Sequence, residues 1–507
     1  MLVVAGCASV DPYRHAPIAT HLQRADSVGD CARLFQRSDR SIDAAGVRDA
    51  MSPRVPGFPY LRVDRFHAAL APRAETEQQG DAWRMRLDAL DREARAFELR
   101  NLADESAART ATALEDCRAT LHDADRPKVA VLAEAARVPD DYSAALRALG
   151  LYPITKLAFA AGIRRWHAET LDEFALPLER LPQRGTLRRY APPRVALDHA
   201  GNAEVARDAL GVPQLTPARL EQLIARHAPL YEIDTADEND RIGALAWAAG
   251  AGGSRVTVDV VQPSAYARVA HTRLGGRVHL QLVYTVWFAA RPPKGAFDAL
   301  AGRLDGLVWR VTLGSDLEPL AYDAIHPCGC YHMFFPTARV RERERPIEGE
   351  GPSDETVFVP QTITAAGAGQ RLLLRLAAGS HYLQRVLVID ESAAAAAPAA
   401  VRYALHNEDE LRTLPITPAS ATGASAPGIA TRSVYGENGL VAGSERLERF
   451  FFWPMGIESA GQMRQWGRHA TAFVGRRHFD DPRLLDRYFE VRRSGAPADQ
   501  SSAGADD

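Results

Sequence analysis

One short segment carries most of the residues whose types and spacing could do chemistry. His326, Cys328, Cys330 and His332 alternate with other residues along the chain. Imidazole and thiolate groups are the donors that zinc and copper favour in proteins. A straight strand would spread the four groups over roughly 20 Å, too far for one ion. The proline and glycine between them favour a bend that brings two or three of these side chains together.

The segment has other interpretations, and the sequence leaves them open. A metal site here, for zinc or copper, would take His381 as a further ligand. Structural zinc sites usually separate their cysteines by two to four residues, whereas one residue separates this pair. Cys328 and Cys330 could instead form a disulfide or a redox pair, or lie buried while the histidines bond to backbone carbonyls. The same residues are therefore candidates for metal binding, thiol chemistry or a structural role.

The elements that must position this segment are predicted to be strands. An apolar run at 307–313, a turn at 314–316 and an extended run at 319–326 together indicate a β-hairpin. Period-2 counting places Tyr322, Ala324 and His326 on one face. Continued through residue 332, the same count places both cysteines and His332 on that face as well.

The hairpin belongs to a region, 236–391, in which strand patterns dominate. Residues 277–288 alternate most clearly, with valine, leucine, tyrosine and phenylalanine on one face. Further strands are predicted at 255–261, 371–376 and 383–389, with turn residues between them. We expect an antiparallel β-rich domain, either a sandwich or a partial barrel.

Helical patterns flank this domain on both sides, so the predicted fold class is α+β. A mainly helical region covers 27–235, and its longest pattern runs from 83 to 123. A linker is expected at 392–431, a helical C-terminal segment at 432–490 and a disordered tail at 491–507. In the C-terminal segment Met463, Trp466, Ala470 and Phe473 fall at helical spacing. A short helix at 216–227 should begin at Thr216, with Pro217 in its first turn.

Composition narrows the function classes. The chain has 507 residues, 46% of them hydrophobic and 25% charged, with a formal net charge of -3. These values indicate a globular protein of two to four domains or subdomains and argue against a nucleic-acid binder. The sequence has no G-x-S-x-G elbow, H-E-x-x-H helix, Walker loop or C-x-x-C pair. The sequence therefore gives no local support for the corresponding hydrolase, metalloprotease, nucleotide-binding and redox classes.

The N-terminal residues Val4, Ala5, Gly6 and Cys7 resemble the lipobox of bacterial lipoproteins. This resemblance implies cleavage before Cys7 and lipidation of Cys7, with 1–6 a remnant of the signal peptide and 7–26 a tether. Signal peptides carry an apolar stretch of about 7–15 residues, so we expect translation to start upstream. By the same resemblance, Ala8 after the cysteine implies an outer-membrane lipoprotein that faces the periplasm. The resemblance covers only these residues.

Four cysteines remain to pair if Cys7 is acylated. In the oxidising periplasm we expect a disulfide between Cys31 and Cys117, which would tie the first helix to the longest one. The alternative is two buried free thiols.

Two functional hypotheses follow. The first is a non-enzymatic, lipid-anchored envelope protein that binds a ligand, a metal ion or an envelope partner through 326–332. The second is a periplasmic metal- or thiol-dependent enzyme in which His326 and His332 act as ligands or bases, and Cys328 and Cys330 as ligands or a redox pair. The membrane, through the lipid, is the one partner that the sequence indicates.

Overall fold

The computed structural model describes residues 11–71, 76–102, 107–194, 205–250, 253–295, 297–344, 354–367, 369–391, 400–416 and 430–492. Cys7, the predicted tail beyond 492 and parts of the predicted linker lie outside these ranges. The fold is α+β, as predicted.

Eleven α-helices occur in the described residues: α1 (Ile18–His21), α2 (Ser27–Ala45), α3 (Arg65–Ala69), α4 (Glu77–Asn101), α5 (Ala107–Asp125), α6 (Val129–Ala135), α7 (Ala144–Leu149), α8 (Tyr152–Ala175), α9 (Pro217–His227), α10 (Arg449–Phe452) and α11 (Leu484–Tyr488).

The strands of the same ranges are β1 (Arg54–Val55), β2 (Phe58–Arg62), β3 (Thr186–Ala191), β4 (Leu230–Thr235), β5 (Ile242–Gly250), β6 (Gly253–Asp259), β7 (Ser264–Leu274), β8 (Arg277–Arg291), β9 (Gly302–Leu313), β10 (Pro319–Ile325), β11 (Met333–Pro336), β12 (Val340–Glu342), β13 (Gln370–Leu376), β14 (Leu383–Asp390), β15 (Val401–Arg402), β16 (Ala404–Asn407), β17 (Leu414–Pro415), β18 (Thr431–Arg432) and β19 (Phe489–Val491).

Local capping determines where several helices begin and end. The Asp26 carboxylate accepts a hydrogen bond from the Gly29 amide at the start of α2, and Gly46 ends that helix with φ of 66°. Thr216 caps α9, and Pro217 occupies its first position, as predicted. The single pattern predicted at 83–123 corresponds to two helices, α4 and α5.

The helical region is cross-linked and well packed. The predicted disulfide joins Cys31 of α2 to Cys117 of α5, with 5.2 Å between the Cα atoms. Phe35, Tyr60 and Trp83 are fully buried beside it in one core. The bond therefore connects two helices that already share an apolar interface.

The β-rich region consists of two main sheets. The larger has eight strands, in the order β11-β10-β9-β8-β5-β6, and β7 pairs with β8 and with β16. Its β9 and β10 form the predicted hairpin. The smaller sheet has the order β14-β13-β4-β3-β15, with parallel pairing of β13 to β4 and of β15 to β3.

The two sheets pack face to face as a sandwich. Leu282 and Trp309 of the larger sheet share one apolar core with Ile233 and Leu374 of the smaller sheet. Alternate residues of each strand enter this core, which explains the period-2 pattern of the sequence.

The last described range, residues 430–492, is called the C-terminal part, and it covers the outer face of the larger sheet. Phe479 packs there against Val283, Val308 and Ile325. The predicted helix through 463–473 is wrong, because residues 456–483 are turns, bends and isolated bridges. The apolar residues at helical spacing pack into several small cores and do not form one face of a helix. Part of the predicted linker is also ordered, since β15 and β16 add to the two sheets.

Among the described residues, no helix combines the length and apolar character needed to cross a membrane.

Candidate functional site

The register of the hairpin β10–β11 separates the two predicted histidines. Ala324 pairs with Met333, so even-numbered residues of β10 share a face with odd-numbered residues of β11. His326 therefore lies at the end of the sandwich interior, whereas His332 faces the C-terminal part. The prediction of a common face is wrong because the chain reverses direction between 326 and 332, which inverts the parity of the count.

His326 and His381 share one buried carboxylate. Nδ1 of His326 lies 3.1 Å from Oδ1 of Asp305, and Nδ1 of His381 lies 3.0 Å from Oδ2. Nη2 of Arg446 lies 3.2 Å from Oδ1 of the same aspartate. The His381 ring stacks on Phe288 at 3.8 Å between ring centroids. Two of the histidines predicted from the sequence therefore lie in the same site, where both form hydrogen bonds with one carboxylate.

The charged groups around Asp305, which we call the Asp305 site, shift one another's pKa values. Burial alone would raise the pKa of Asp305, but Arg446 and His326 hold it well below its usual range. Burial also opposes protonation of His381, yet Asp240 and Asp305 on either side raise its pKa. Burial lowers the pKa of His326, despite the nearby Asp305. These shifts favour an arrangement in which the His381 imidazolium lies between the carboxylates of Asp240 and Asp305.

The backbone is strained around the Asp305 site. Leu304, Tyr331 and His381 have φ values of 57°, 62° and 53°, in the left-handed region that non-glycine residues rarely adopt. Such strain typically costs about 1–3 kcal/mol per residue and persists only where the surroundings impose it. The site is therefore a place where the fold maintains a defined geometry.

Asp240 connects this site to a cleft. Nε2 of His381 lies 3.3 Å from Oδ1 of Asp240. The same aspartate lines a cleft of about 510 Å³, together with Arg184 and Lys294. The His381 imidazolium thus lies one carboxylate away from the cleft.

His332 belongs to a second buried cluster on the outer face. Its Nε2 lies 2.9 Å from Oδ2 of Asp323, and Arg310 donates to both oxygens of that carboxylate. The Arg310 guanidinium stacks 3.7 Å from the centre of the Phe479 ring. Burial lowers the pKa of His332 to about 4, so the ring is neutral at neutral pH. This cluster attaches the C-terminal part to the sheet.

Cys328 and Cys330 are reduced and in contact with each other. Cys328 is buried and Cys330 half-buried. The hydrogen bond with Cys330 lowers the pKa of Cys328, and the same bond raises the pKa of Cys330. Gly329 adopts a φ of 93°, and a Cβ there would lie 2.6 Å from the Ala470 carbonyl oxygen, so the tight turn requires glycine.

The five predicted residues therefore do not form one metal site. His326 and His381 form hydrogen bonds with Asp305, and His332 forms one with Asp323. The two thiols are hydrogen-bonded to each other. Within the described ranges, no group of three or more histidine, cysteine, aspartate or glutamate side chains is placed to hold a metal ion.

A larger cleft, which we call the interdomain cleft, lies where the helical region meets strand β7 of the larger sheet. Its volume is about 760 Å³. Apolar and aromatic walls come from Phe66, Leu90, Ile224 and Trp466. Because these side chains belong to α3, α4, α9 and the C-terminal part, the interdomain cleft exists only in the assembled fold.

Imidazoles and charges converge on the interdomain cleft. Nδ1 of His67 lies 2.7 Å from Oδ1 of Asp64, and His271 stacks on Phe66 at 5.1 Å. Burial lowers the pKa of His271 to about 3, which keeps this ring neutral. Arg268 stacks over Trp466 at 4.9 Å.

Sequence reasoning missed the residues of this cleft. They lie more than 400 positions apart at the extremes, from Met51 to Asp480, and form no compact motif. The one local signal is the aspartate-x-x-histidine spacing of Asp64 and His67, which also describes an ordinary helix cap. Only the packing of the helical region on the sheet brings them together.

Comparison with known proteins found no family model that matches this chain, no match among curated proteins and no match among solved structures.

Proposed function

We propose that this protein is a lipid-anchored cell-envelope protein that binds a small molecule in the interdomain cleft. The observation that carries the proposal is the cleft itself, which has a volume of about 760 Å³ and is lined in equal parts by apolar side chains and by polar or charged ones. Its volume is in the range of small-molecule sites, and its aromatic walls are of the kind that such sites use. The segment 326–332, which the sequence favoured for binding, is mostly buried by the fold and supports the sheet instead.

The charges that line the cleft indicate the kind of ligand. The lining has carboxylates at five positions and one guanidinium, that of Arg268, which also lies 3.4 Å from Glu408. Arginines behind the lining pair with three of the five, Arg412 with Glu93 and Asp409 and Arg65 with Asp480, so Asp64 and Glu221 contribute most of the negative charge. Such a lining disfavours an anionic ligand. Trp466 and Phe66 offer aromatic surface for an apolar or ring-containing body. The ligand class is therefore an amphipathic small molecule with a neutral or positively charged polar end. The lining carboxylates are Asp64, Glu93, Glu221, Asp409 and Asp480.

A matched ligand panel tests the binding role. The panel should present one apolar ring with a neutral, a cationic or an anionic substituent, and the readout is the shift in melting temperature with concentration. A ligand at 100 times its Kd stabilises the folded state by about 2.7 kcal/mol. We expect stabilisation by neutral or cationic members, which Trp466→Ala abolishes and Trp247→Ala, outside the cleft, retains. Stabilisation by anionic members alone would contradict the proposal.

The membrane anchor has a separate test. Expressed together with the expected upstream part of its signal peptide, in a bacterial host supplied with labelled palmitate, the wild-type protein should become labelled and the Cys7→Ser variant should not. An unlabelled wild-type product in the cytosol would refute the anchor without affecting the ligand-binding role.

Thiol chemistry at Cys328 and Cys330 is a second candidate function. The contact between two reduced thiols, one of them half-buried, favours it. With glutathione disulfide as oxidant, the two thiols would lose two electrons and two protons to form one disulfide, and the oxidant would become two molecules of glutathione.

Mass spectrometry after alkylation would detect this reaction. We expect a loss of two hydrogens from the peptide that contains 328–330, and no such change in Cys328→Ser. Two alkylated thiols after prolonged treatment with the oxidant would exclude this candidate.

A further inference from the structure

An exposed apolar surface is formed by residues that line neither cleft. Sixteen large hydrophobic residues of the described ranges are exposed, and eight of them fall within 149–157 and 447–453. The eight are Leu149, Leu151, Ile154, Leu157, Leu447, Phe450, Phe451 and Trp453. Half of the exposed large side chains thus lie in two short segments, which together we call the apolar patch. Such clustering marks an interaction surface, whereas single exposed residues do not.

The two segments of the apolar patch are in contact. The Phe159 ring of α8 lies 5.2 Å from the Phe452 ring of α10. Arg147 of α7 donates to the Met455 carbonyl oxygen at 2.8 Å, and a Cβ on Gly150 would lie 2.5 Å from Cβ of Pro454. These contacts place the two segments side by side in the folded protein, so their exposed side chains are neighbours.

The charge distribution favours an anionic partner surface. Between Asp141 and Glu169 the chain carries four cationic side chains and no carboxylate. Arg165 pairs with Glu169 at 2.8 Å, and Arg147 donates to the Met455 carbonyl oxygen, so Lys156 and Arg164 are the two that can favour an anionic surface. In the second segment, Glu448 is buried, while Arg449 lies over the Phe450 ring at 4.8 Å. Apolar, aromatic side chains with flanking cations are typical of elements that lie in a membrane interface.

We propose that the apolar patch inserts into the interface of a lipid bilayer that contains anionic lipids. This contact goes beyond the proposed function, because it uses neither the acyl chains nor the interdomain cleft. Ile154 and Leu157, three positions apart on α8, lie on the same helical face. Phe450, Phe451 and Trp453 add aromatic side chains, which prefer the headgroup level. Together with acyl chains on Cys7, the patch would hold the folded body against the membrane instead of leaving it on a free tether.

Vesicle binding of the Cys7→Ser full-length protein tests this contact without the lipid anchor. We expect co-sedimentation with vesicles of phosphatidylglycerol and phosphatidylcholine, and at least tenfold weaker binding by Phe450→Ser/Phe451→Ser. Phe297→Ser is the matched control, because Phe297 is 94% exposed outside the patch, and it should bind like the parent. Arg164→Glu should weaken binding to the anionic vesicles, and salt should do the same.

Three results would overturn the proposal. The parent protein does not bind the vesicles; the double serine variant, with unchanged circular dichroism and melting temperature, binds like the parent; or vesicles have no effect while sedimentation equilibrium shows a dimer that the double variant lacks. The last result would assign the patch to contacts between copies of the chain. Since Cys7 is absent throughout, each result is independent of palmitate labelling and of ligand binding.

Discussion

The helical region and the β-sandwich both bury charge, but they neutralise it with different side chains. In the helical region Asp91 is bound by Arg62, Arg95 and Arg118, at 3.2, 3.1 and 2.6 Å. In the sandwich Asp305 is bound by two histidines and one arginine. Arginine stays protonated at every physiological pH, whereas histidine titrates near neutrality. The same device, a buried shared carboxylate, is therefore insensitive to pH in one region and sensitive in the other.

The cysteines differ in the same way. The helical region contains the Cys31–Cys117 disulfide, whereas the sandwich keeps Cys328 and Cys330 reduced. The comparison indicates that the helical region is stabilised by a disulfide and by arginine–carboxylate pairs that do not depend on pH, and the sandwich in part by histidine–carboxylate pairs that do.

The largest expected effect is the loss of the disulfide. The double variant Cys31→Ser/Cys117→Ser should lower the free energy of unfolding by about 4.5 kcal/mol, because the bond closes a loop of 86 residues. Urea unfolding, followed by circular dichroism of the helices, measures this. Cys328→Ser is the control in the sandwich and should leave the helical transition in place. A helical transition that the double variant does not move would show that α2 and α5 are held by packing alone.

Removing the central carboxylate of the helical region should be nearly as severe. Asp91→Asn leaves three buried guanidiniums without their common partner, and breaking a buried charge pair costs about 3–5 kcal/mol. The loss should be similar at pH 5 and pH 8. Asp123→Asn, which removes an exposed partner of Arg126, is the control and should unfold like the wild type. If the loss of unfolding free energy in the Asp91 variant differed strongly between pH 5 and pH 8, the helical region would not be insensitive to pH.

Acid should destabilise the sandwich through His332. Its folded pKa of about 4 lies below the unfolded value of about 6.5, so the unfolded chain binds the extra proton between these values. Stability is complete above pH 6.5 and falls by about 3 kcal/mol as the pH drops to 4. His332→Gln, which keeps a donor for Asp323, should remove this part of the slope. Unfolding free energies at several pH values measure it, and an unchanged slope in the variant would assign the acid sensitivity to other groups.

The smallest effect is that of His381, and its dependence on pH is the opposite of that of His332. Because the folded pKa of His381 is raised, its charged hydrogen bonds stabilise the protein fully below the unfolded pKa and are lost as the pH rises through the folded value. His381→Gln should cost about 2 kcal/mol at pH 6 and less at higher pH. Proton NMR of the His381 ring would report the titration directly, and a ring that is neutral at pH 6 would contradict the assignment.

Much of the architecture could be predicted from the sequence, because hydrophobic periodicity reports which face of an element is buried. The strand at 277–288 and the hairpin that ends at His326 were predicted in this way, and both are present. Residues 463–473 show where periodicity fails. Their apolar side chains enter different small cores, so helical spacing arises without a helix.

The site was harder to predict, because its geometry depends on strand register. His326 and His332 belong to one motif in the sequence, yet the antiparallel return of β11 places them on opposite faces of the sheet. Asp305 and Asp323, which bind them, lie in strand patterns that look purely structural.

The sequence by itself determined the type of most elements and the chemical nature of the residues at 326–332, whereas the predicted pairing of Cys31 with Cys117 also needed the assumption of an oxidising compartment. These properties follow from local patterns and composition, which the linear chain contains in full. Only the tertiary structure decided which carboxylate each histidine binds and where a cleft forms. Both depend on register and on the packing of distant elements, and neither leaves a periodic trace in the chain.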